Sequence, residues 1–282
     1  MLHLSMPDLK PLTNLDAETV ASFGREWSRF DHSSAAEPEL NRLFEGYFGI
    51  FPWHLLPEHP IGFDLGCGTG RWARFVAPRV GVLHCIDASA EALSVAKRNL
   101  ASLSNCRFFH GTAEEIPMSD QSADFGFSLG VLHHVPDTGG ALTACVRKLK
   151  PGAPFLLYLY YCLENRPFWY RALWRASILP RVVISRLPHA LKIGVCDLIA
   201  AGVYLPAATL ARWLPDRANL PLAHYRNLSF YAMRTDALDR FGTRLEKRFS
   251  RSDIVALMNE AGLRDVSFSE NLPYWVAVGY KR

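Results

Sequence analysis

The chain has 282 residues, 49% of them hydrophobic and 21% charged, the balance of a globular protein with a proper core. That length allows one large domain, or a domain carrying an elaborate insertion. The net charge of +4 is too mild to announce a nucleic-acid binder, and no internal repeat or low-complexity tract interrupts the chain.

Residues 1–60 precede the first strand. Phe23, Trp27 and Phe30 form one aromatic stripe at helical spacing, and Leu40, Leu43, Phe44, Tyr47 and Phe48 form a second. Two helices packed on the core account for both. Pro52, Pro57 and Pro60 then punctuate a connection. Ile61-Gly62-Phe63-Asp64-Leu65 reads as a strand, Gly66-Cys67-Gly68-Thr69-Gly70 as a tight turn, and Arg71–Phe75 as a helix start. Glycine is needed there because the turn visits φ > 0 and lets a ligand approach bare backbone. Arg71 stands where the dinucleotide fingerprint wants its last glycine, and no Gly-Lys-Ser/Thr follows, which argues against a phosphate loop. Asp64 would repel a pyrophosphate and suits an ammonium group. A cationic, phosphate-free cofactor fits best.

Val80–Ile86 reads as a second strand ending at Asp87, and Ser89 caps a helix running through Leu93, Ala96 and Leu100. Asp87 lies 21 residues beyond Gly66, close to the distance at which an acid meets a ribose in nucleotide-binding βαβ units. A carboxylate can accept from both vicinal hydroxyls; the plain alternative is a turn aspartate capping the next helix. A third strand, Cys106–His110, leads into Gly111–Pro117. The fourth, Asp124–Gly130, runs on to Val131–Asp137, which holds the adjacent pair His133 and His134. A helix over 138–149 stops at Lys150-Pro151-Gly152. Pro154–Tyr161 is the continuous apolar run of a strand covered on both faces. This alternation argues for a right-handed, doubly wound parallel sheet. Its ligand belongs at the carboxyl ends of the strands, where Gly66–Gly70, Asp87, Thr112–Glu114 and Ser128–His134 all fall.

Phe63-Asp64-Leu65-Gly66-Cys67-Gly68-Thr69-Gly70 resembles the first motif of the class I S-adenosylmethionine (SAM) dependent methyltransferases. The likeness covers residues 45–160, with a weaker echo at 250–282. It implies an α/β fold with a doubly wound, mostly parallel seven-stranded sheet, N-terminal helices and a large, mostly helical insertion after the fifth strand. Residues 1–60 would cover the cofactor, 61–161 form the SAM-binding core, 162–249 a cap on the substrate side, and 250–282 the closing helix and strand pair. The cofactor would be SAM, leaving as S-adenosylhomocysteine. Asp64, Gly66, Cys67, Gly68, Gly70, Asp87, Ala88, Thr112, Ala113, Glu114, Leu129 and Gly130 would line its site. The family's adenine-binding turn usually carries an acid after its glycine; Thr112 stands there, leaving the contact to the Ala113 backbone or Glu114. Val131–Asp137 resembles the fourth motif of small-molecule methyltransferases. His133 and His134 are candidate general bases, His133 preferred as nearer the strand end, against a space-filling role. Trp27, Tyr158, Tyr160, Glu164, His224 and Tyr225 are substrate candidates.

The reaction so implied moves a methyl group to an O, N, S or C nucleophile of a small molecule, mainly by proximity and orientation. The alternatives are a protein of this fold that transfers no methyl (a cyclase or accessory binder), or an RNA methyltransferase. The Asn/Asp-Pro-Pro-Tyr motif that stacks a flipped adenine is missing, as is the Pro-Cys pair of C5 pyrimidine methylation, so nucleic acid is disfavoured. Ser128–His134 offers no acid for a divalent ion, and no metal is expected.

After Tyr161 the alternation breaks. Between Arg166 and Arg226 nine lysines and arginines face two aspartates, a balance of +7. Such an apolar, basic segment suits a cap over an apolar or anionic substrate, a peripheral membrane contact, or an oligomer interface. Ser250 with Asp253 makes a capping box. Ile254, Leu257 and Met258 face inward, and Val266–Ser269 with Tyr274–Tyr280 read as closing strands. Six cysteines (67, 85, 106, 145, 162, 196) lack paired or C-x-x-C spacing, so buried thiols in a reducing compartment are expected. Met1–Lys10 shows no signal-peptide pattern. The longest uncharged run in the C-terminal half, Leu198–Ala211, has 14 residues including Pro206, short of the roughly 20 that span a bilayer. A cytoplasmic location is the expectation.

Overall fold

A computed structural model of the protein describes residues 14–31, 36–214 and 220–282. Met1–Lys10, read above for a signal, and Asp216 and Arg217 of the charge count lie outside the described residues. Two N-terminal helices, α1 (Ala17–Arg29) and α2 (Glu37–Phe48), precede strand β1 (Ile61–Leu65). The alternation then runs α3 (Ala73–Val76), β2 (Val82–Asp87), α4 (Ala90–Asn99), β3 (Cys106–His110), β4 (Phe125–Leu129), α5 (Thr138–Lys148) and β5 (Pro154–Tyr158). Five helices follow: α6 (Phe168–Ala176), α7 (Ile178–Ile184), α8 (His189–Ile199), α9 (Leu205–Trp213) and α10 (Phe230–Gly242). The chain closes with α11 (Arg251–Glu260), β6 (Leu263–Phe268) and β7 (Ala277–Lys281).

All seven strands join one sheet in the order β3-β2-β1-β4-β5-β7-β6. β1 to β5 pair in parallel, and β7 enters antiparallel between β5 and β6. The direction of winding reverses between β1 and β4, which opens a crevice at their carboxyl ends. β4 is buried along its whole length and β5 along all but its last residue, as the unbroken apolar runs require of strands covered on both faces. A Cβ on Gly62 would stand 2.2 Å from the ring of Phe125, and one on Gly126 would stand 2.4 Å from that of Phe63. The two glycines thus make room for rings on the neighbouring strand.

Local signals fall where expected. Ser89 accepts from the Ala92 N–H at the start of α4, and the Ser250–Asp253 capping box opens α11. Five of the six cysteines are buried. The insertion has its own small core, in which Cys196, Ala200, Tyr204, Ala208, Met233 and Leu238 pack together with Phe30 of α1. One expectation is corrected. α8 and α9 are joined by a single π-helical stretch, Ala200–Tyr204, so the helix runs unbroken from His189 to Trp213, 25 residues, long and apolar enough to cross a membrane by length and composition. The π turn lies just before Pro206, whose ring would clash with a carbonyl one turn back in a regular α-helix. The uncharged run alone therefore understated the length of this helix.

Candidate active site

The crevice holds a cavity of about 190 Å³ whose walls come from two sources. The carboxyl ends of the strands supply Gly66–Thr69, Asp87–Ser89, Gly111–Ala113 and Leu129–Leu132, and helix α1 with the aromatic positions around it supplies Phe23, Trp27, Tyr47, Trp72, Tyr158 and Tyr160. Gly66 (φ +77°) and Gly68 (φ +54°) make the turn after β1, a conformation that costs glycine little. A Cβ on Gly66 would stand 2.3 Å from Val131, and one on Gly68 would point at the Trp27 indole, 3.5 Å from Nε1. Trp27 therefore sits over the loop. Gly24 lets α1 come this close, since a Cβ there would stand 2.6 Å from Ser89 Oγ. Phe23 and Trp27 of α1 thereby form part of the cavity wall.

Asp87 ends β2 in the cavity wall. Its Oδ2 accepts from the Gly68 N–H (2.7 Å) and its Oδ1 from the Ser89 N–H (2.8 Å). Burial pushes this carboxyl up, and the two backbone donors hold it back. Each oxygen keeps a free lone pair, so Asp87 ties the loop to the helix and can still receive ribose hydroxyls. Asp64 takes a different place from the one expected. It is 1% exposed, does not line the cavity, and its buried Oδ2 has no partner. Burial, then repulsion from Asp87, raises it well above the usual carboxylate range, so the neutral form is favoured and a charge contact to an ammonium group is not. Gly70 (φ +77°) lies behind the wall, packed against Leu100.

In the turn after β3, Thr112 and Ala113 line the cavity while Glu114 does not. Glu114 accepts from Asn14 Nδ2 (3.2 Å), and Glu115 closes a capping box on Thr112. The adenine side is thereby left to backbone groups. Cys67, Ala88, Leu129 and Gly130 all line the wall.

The preference between the two histidines reverses. His134 lines the cavity, whereas His133 is fully buried behind it, stacked on Tyr160 with ring centroids 3.9 Å apart and with neither ring nitrogen partnered. His134 Nδ1 lies 2.6 Å from the Leu245 carbonyl. A carbonyl only accepts, so the proton sits on Nδ1 and Nε2 keeps its lone pair. Burial is the main cause that lowers both, His134 to about 4 and His133 well below the usual range. Both are neutral at pH 7.

Of the substrate candidates, Trp27, Tyr158 and Tyr160 line the cavity. Glu164 accepts from the Arg251 N–H on another face, and Tyr225 and His224 belong to the insertion, Tyr225 in its core. Arg71 and Asp239, neither of them among the site candidates, also reach the wall. Arg71 follows the glycine loop and lies over the Trp72 ring at 4.2 Å; its position right after G-x-G-x-G was the available signal. Asp239, on α10, accepts from the Tyr160 hydroxyl through Oδ2, while its buried Oδ1 has no partner. Burial pushes this carboxyl up to about 7, with repulsion from Asp236 and Glu246 adding to it and Tyr160 and Arg181 opposing. Nothing in the local sequence marks Asp239, because its position depends on how the insertion folds back. Among the described residues no group of three or more His, Cys, Asp or Glu could hold a metal ion.

The open glycine backbone, the Asp87 carboxyl group and the turn after β3 fit a nucleoside cofactor, as SAM is. Comparison with known proteins agrees. Residues 63–157 match the methyltransferase domain family. Staphylococcus aureus proteins named demethylmenaquinone methyltransferase are 38% identical over 108 residues, 36% of this chain and 42% of theirs, so the chain spans less than half the length of these curated relatives. A solved complex between the Haloferax volcanii Trm112 methyltransferase activator and a methyltransferase shares the fold, with a TM-score of 0.51 and 15% identity over 92% of this chain and 96% of that one. Residues 63–157 thus match a methyltransferase domain, and the sheet order around them is that of the class I SAM-dependent methyltransferase fold.

Proposed function

We propose that the protein transfers the methyl group of SAM to a nucleophilic O, N, S or C atom of a small, largely apolar molecule. SAM, when bound, supplies an activated methyl group and leaves as S-adenosylhomocysteine. One observation carries the acceptor side of this reading: the cavity lined by the glycine loop is also lined by an aromatic set and by Asp239. Phe23, Trp27, Tyr47 and Tyr158 offer flat apolar surfaces that hold a ring in place and keep water out, and such alignment is the main work in methyl transfer. The relatives named for demethylmenaquinone support a ring-bearing acceptor.

Asp239 and Tyr160 form a hydrogen-bonded polar pair in the same wall. Asp239 Oδ1 receives a hydrogen bond, and then the proton, from an O–H or N–H acceptor, while Tyr160 holds the carboxylate in place through Oδ2. A carboxyl near 7 is matched to that task at neutral pH. His134 Nε2 is a second, weaker acceptor on the same wall. The test uses SAM with a deuterated methyl group, incubated with the protein and fractionated apolar metabolites, read by mass spectrometry. Labelled product with matching S-adenosylhomocysteine is expected. Failure to bind SAM in calorimetry would overturn the reading; SAM binding with no transfer to any fraction would favour a non-transferring protein of this fold.

A further inference from the structure

The helix from His189 to Trp213 has two unlike faces. The inner face carries residues four apart, Lys192, Cys196, Ala200, Tyr204 and Ala208, all buried, and it packs on α10. Polar contacts fasten it there. Lys192 Nζ donates to the Gly242 carbonyl (3.0 Å), Tyr204 donates to Asp236 (2.9 Å), and Asp197 receives two bonds from Arg234 (2.8 Å each) and one from Arg29 (3.2 Å). The outer face is the reverse. Leu191 (60% exposed), Leu198 (73%), Val203 (53%), Leu210 (55%) and Trp213 (82%) stand in solvent, and no exposed position between 190 and 211 is charged. Exposed Arg186 and Arg212 bracket this stripe. In the insertion's described residues from 166 to 214 the single acid, Asp197, is consumed by its two arginines.

We propose that this outer face docks in the plane of an anionic lipid bilayer. A helix with one face tied to the protein by these polar bonds and by packing on α10 is held from spanning a membrane, although its length would allow that. An apolar stripe with basic residues at its ends and a tryptophan at its margin is the pattern of an interfacial helix. Arginines beside it attract anionic headgroups within a Debye length. A second copy of this chain is the weaker partner, because apposing two such faces would bring the Arg186 side chains together, while Asp197, the one acid among the described residues from 166 to 214, is already paired. The surface is outside the cavity, so this docking stands or falls independently of the acceptor chemistry.

The test is flotation of the full chain with phosphatidylcholine vesicles, pure or containing a quarter phosphatidylglycerol, at low and high salt. Wild type is expected to float with the anionic vesicles at low salt and to be released at high salt. Leu198→Glu with Val203→Glu should weaken that binding by at least about tenfold, since each buried apolar side chain adds to interfacial affinity. Arg186→Gln with Arg212→Gln should weaken it less and flatten the salt dependence. All four side chains are exposed, so circular dichroism and SAM affinity should stay at wild-type values, and a folded variant is readily confirmed. No flotation at low salt overturns the proposal, as does equal flotation of the glutamate variant. Concentration-dependent dimerisation that the glutamates abolish, without vesicle binding, assigns the face to a second copy and also overturns it. Release by detergent alone, and not by salt, would mean a spanning helix and overturn the in-plane arrangement.

Discussion

Asp239→Asn separates two roles of one carboxyl group. In the folded protein this group is pushed from its ordinary value of 3.8 up to about 7, by burial first and then by Asp236 and Glu246. The groups facing it are Tyr160 from the end of β5, Glu26 from α1, Asp236 from its own helix, and Arg71, Arg181 and Glu246 from the surrounding segments. A folded value above the unfolded one means that full stability is present at low pH, and that it is lost as pH rises from about 4 through about 7. A gap of about three pH units at 1.36 kcal/mol each amounts to about 4 kcal/mol. Asparagine keeps the acceptor for Tyr160 and has no charge to bury. The variant should therefore match wild type at about pH 3, below the unfolded value, and exceed it at about pH 9. At about 2–4 °C per kcal/mol for a chain of this size class, and allowing for relaxation around the ionised group, the gain in Tm should be on the order of 5–10 °C. Activity should move the other way, falling about 10²–10⁴-fold if Asp239 takes the proton, and the neutral-pH limb of kcat/KM should vanish. Thermal melts at the two pH values and a pH–rate profile check both arms. An equal Tm difference at both pH values would refute the buried-charge argument, and an unchanged pH profile would remove Asp239 from proton transfer.

Asp87→Ala removes an acceptor of charge-assisted hydrogen bonds worth roughly 1.5–3 kcal/mol, so SAM should bind about 10- to 150-fold more weakly in calorimetry; unchanged affinity would put Asp87 outside the ribose site. Trp27→Ala opens the cover over Gly68 and should raise the SAM dissociation rate by on the order of tenfold in stopped-flow mixing; an unaltered rate would show that α1 is packing and not a lid. His134→Gln should cost more activity than His133→Gln, because only His134 lines the cavity. Neither variant should lose an ionisation near 6.5, since burial keeps both rings neutral; a profile that loses its neutral limb only in His134→Gln would move the proton role from Asp239 to that residue.

The cofactor half of the site was legible because its determinants are local. A glycine with φ > 0, a carboxylate at a strand end and a serine N-cap each act over a few residues, and the strand alternation brings them to one sheet edge. The same locality misled the reading of Asp64. Its charge was weighed from the motif, whereas its protonation is set by burial and by Asp87, two strands' worth of tertiary packing. His133 was preferred over His134 on distance along the chain, but the 3₁₀ turn at Leu132–His134 rotates successive side chains apart and sends the first inward. The acceptor half was illegible for a stronger reason: Asp239 meets Tyr160 across 79 residues of chain, and no periodicity encodes that contact.

The insertion thereby serves the site from one side and leaves its other side free. α10 is the hinge of this division. Its inner face delivers Asp239 to the cavity, while Met233, Ala237, Leu238 and Phe241 form the bed on which the helix from His189 to Trp213 rests. Asp236, one turn earlier, ties the two together by accepting from Tyr204 of that helix and adding to the repulsion that raises Asp239. A change that loosens the outer helix from α10 should therefore be felt at the acid. Tyr204→Phe deletes the hydroxyl that donates to Asp236 without changing ring packing, leaving a half-buried carboxylate short of one donor. Losing that donor should cost about 1–3 kcal/mol of stability. It should also let Asp236 reorient, which shifts the neutral limb of the pH–rate profile because Asp236 and Asp239 repel each other. A Tm drop with an unmoved profile would show that the outer helix and the acid are mechanically separate, and that the insertion only happens to carry both.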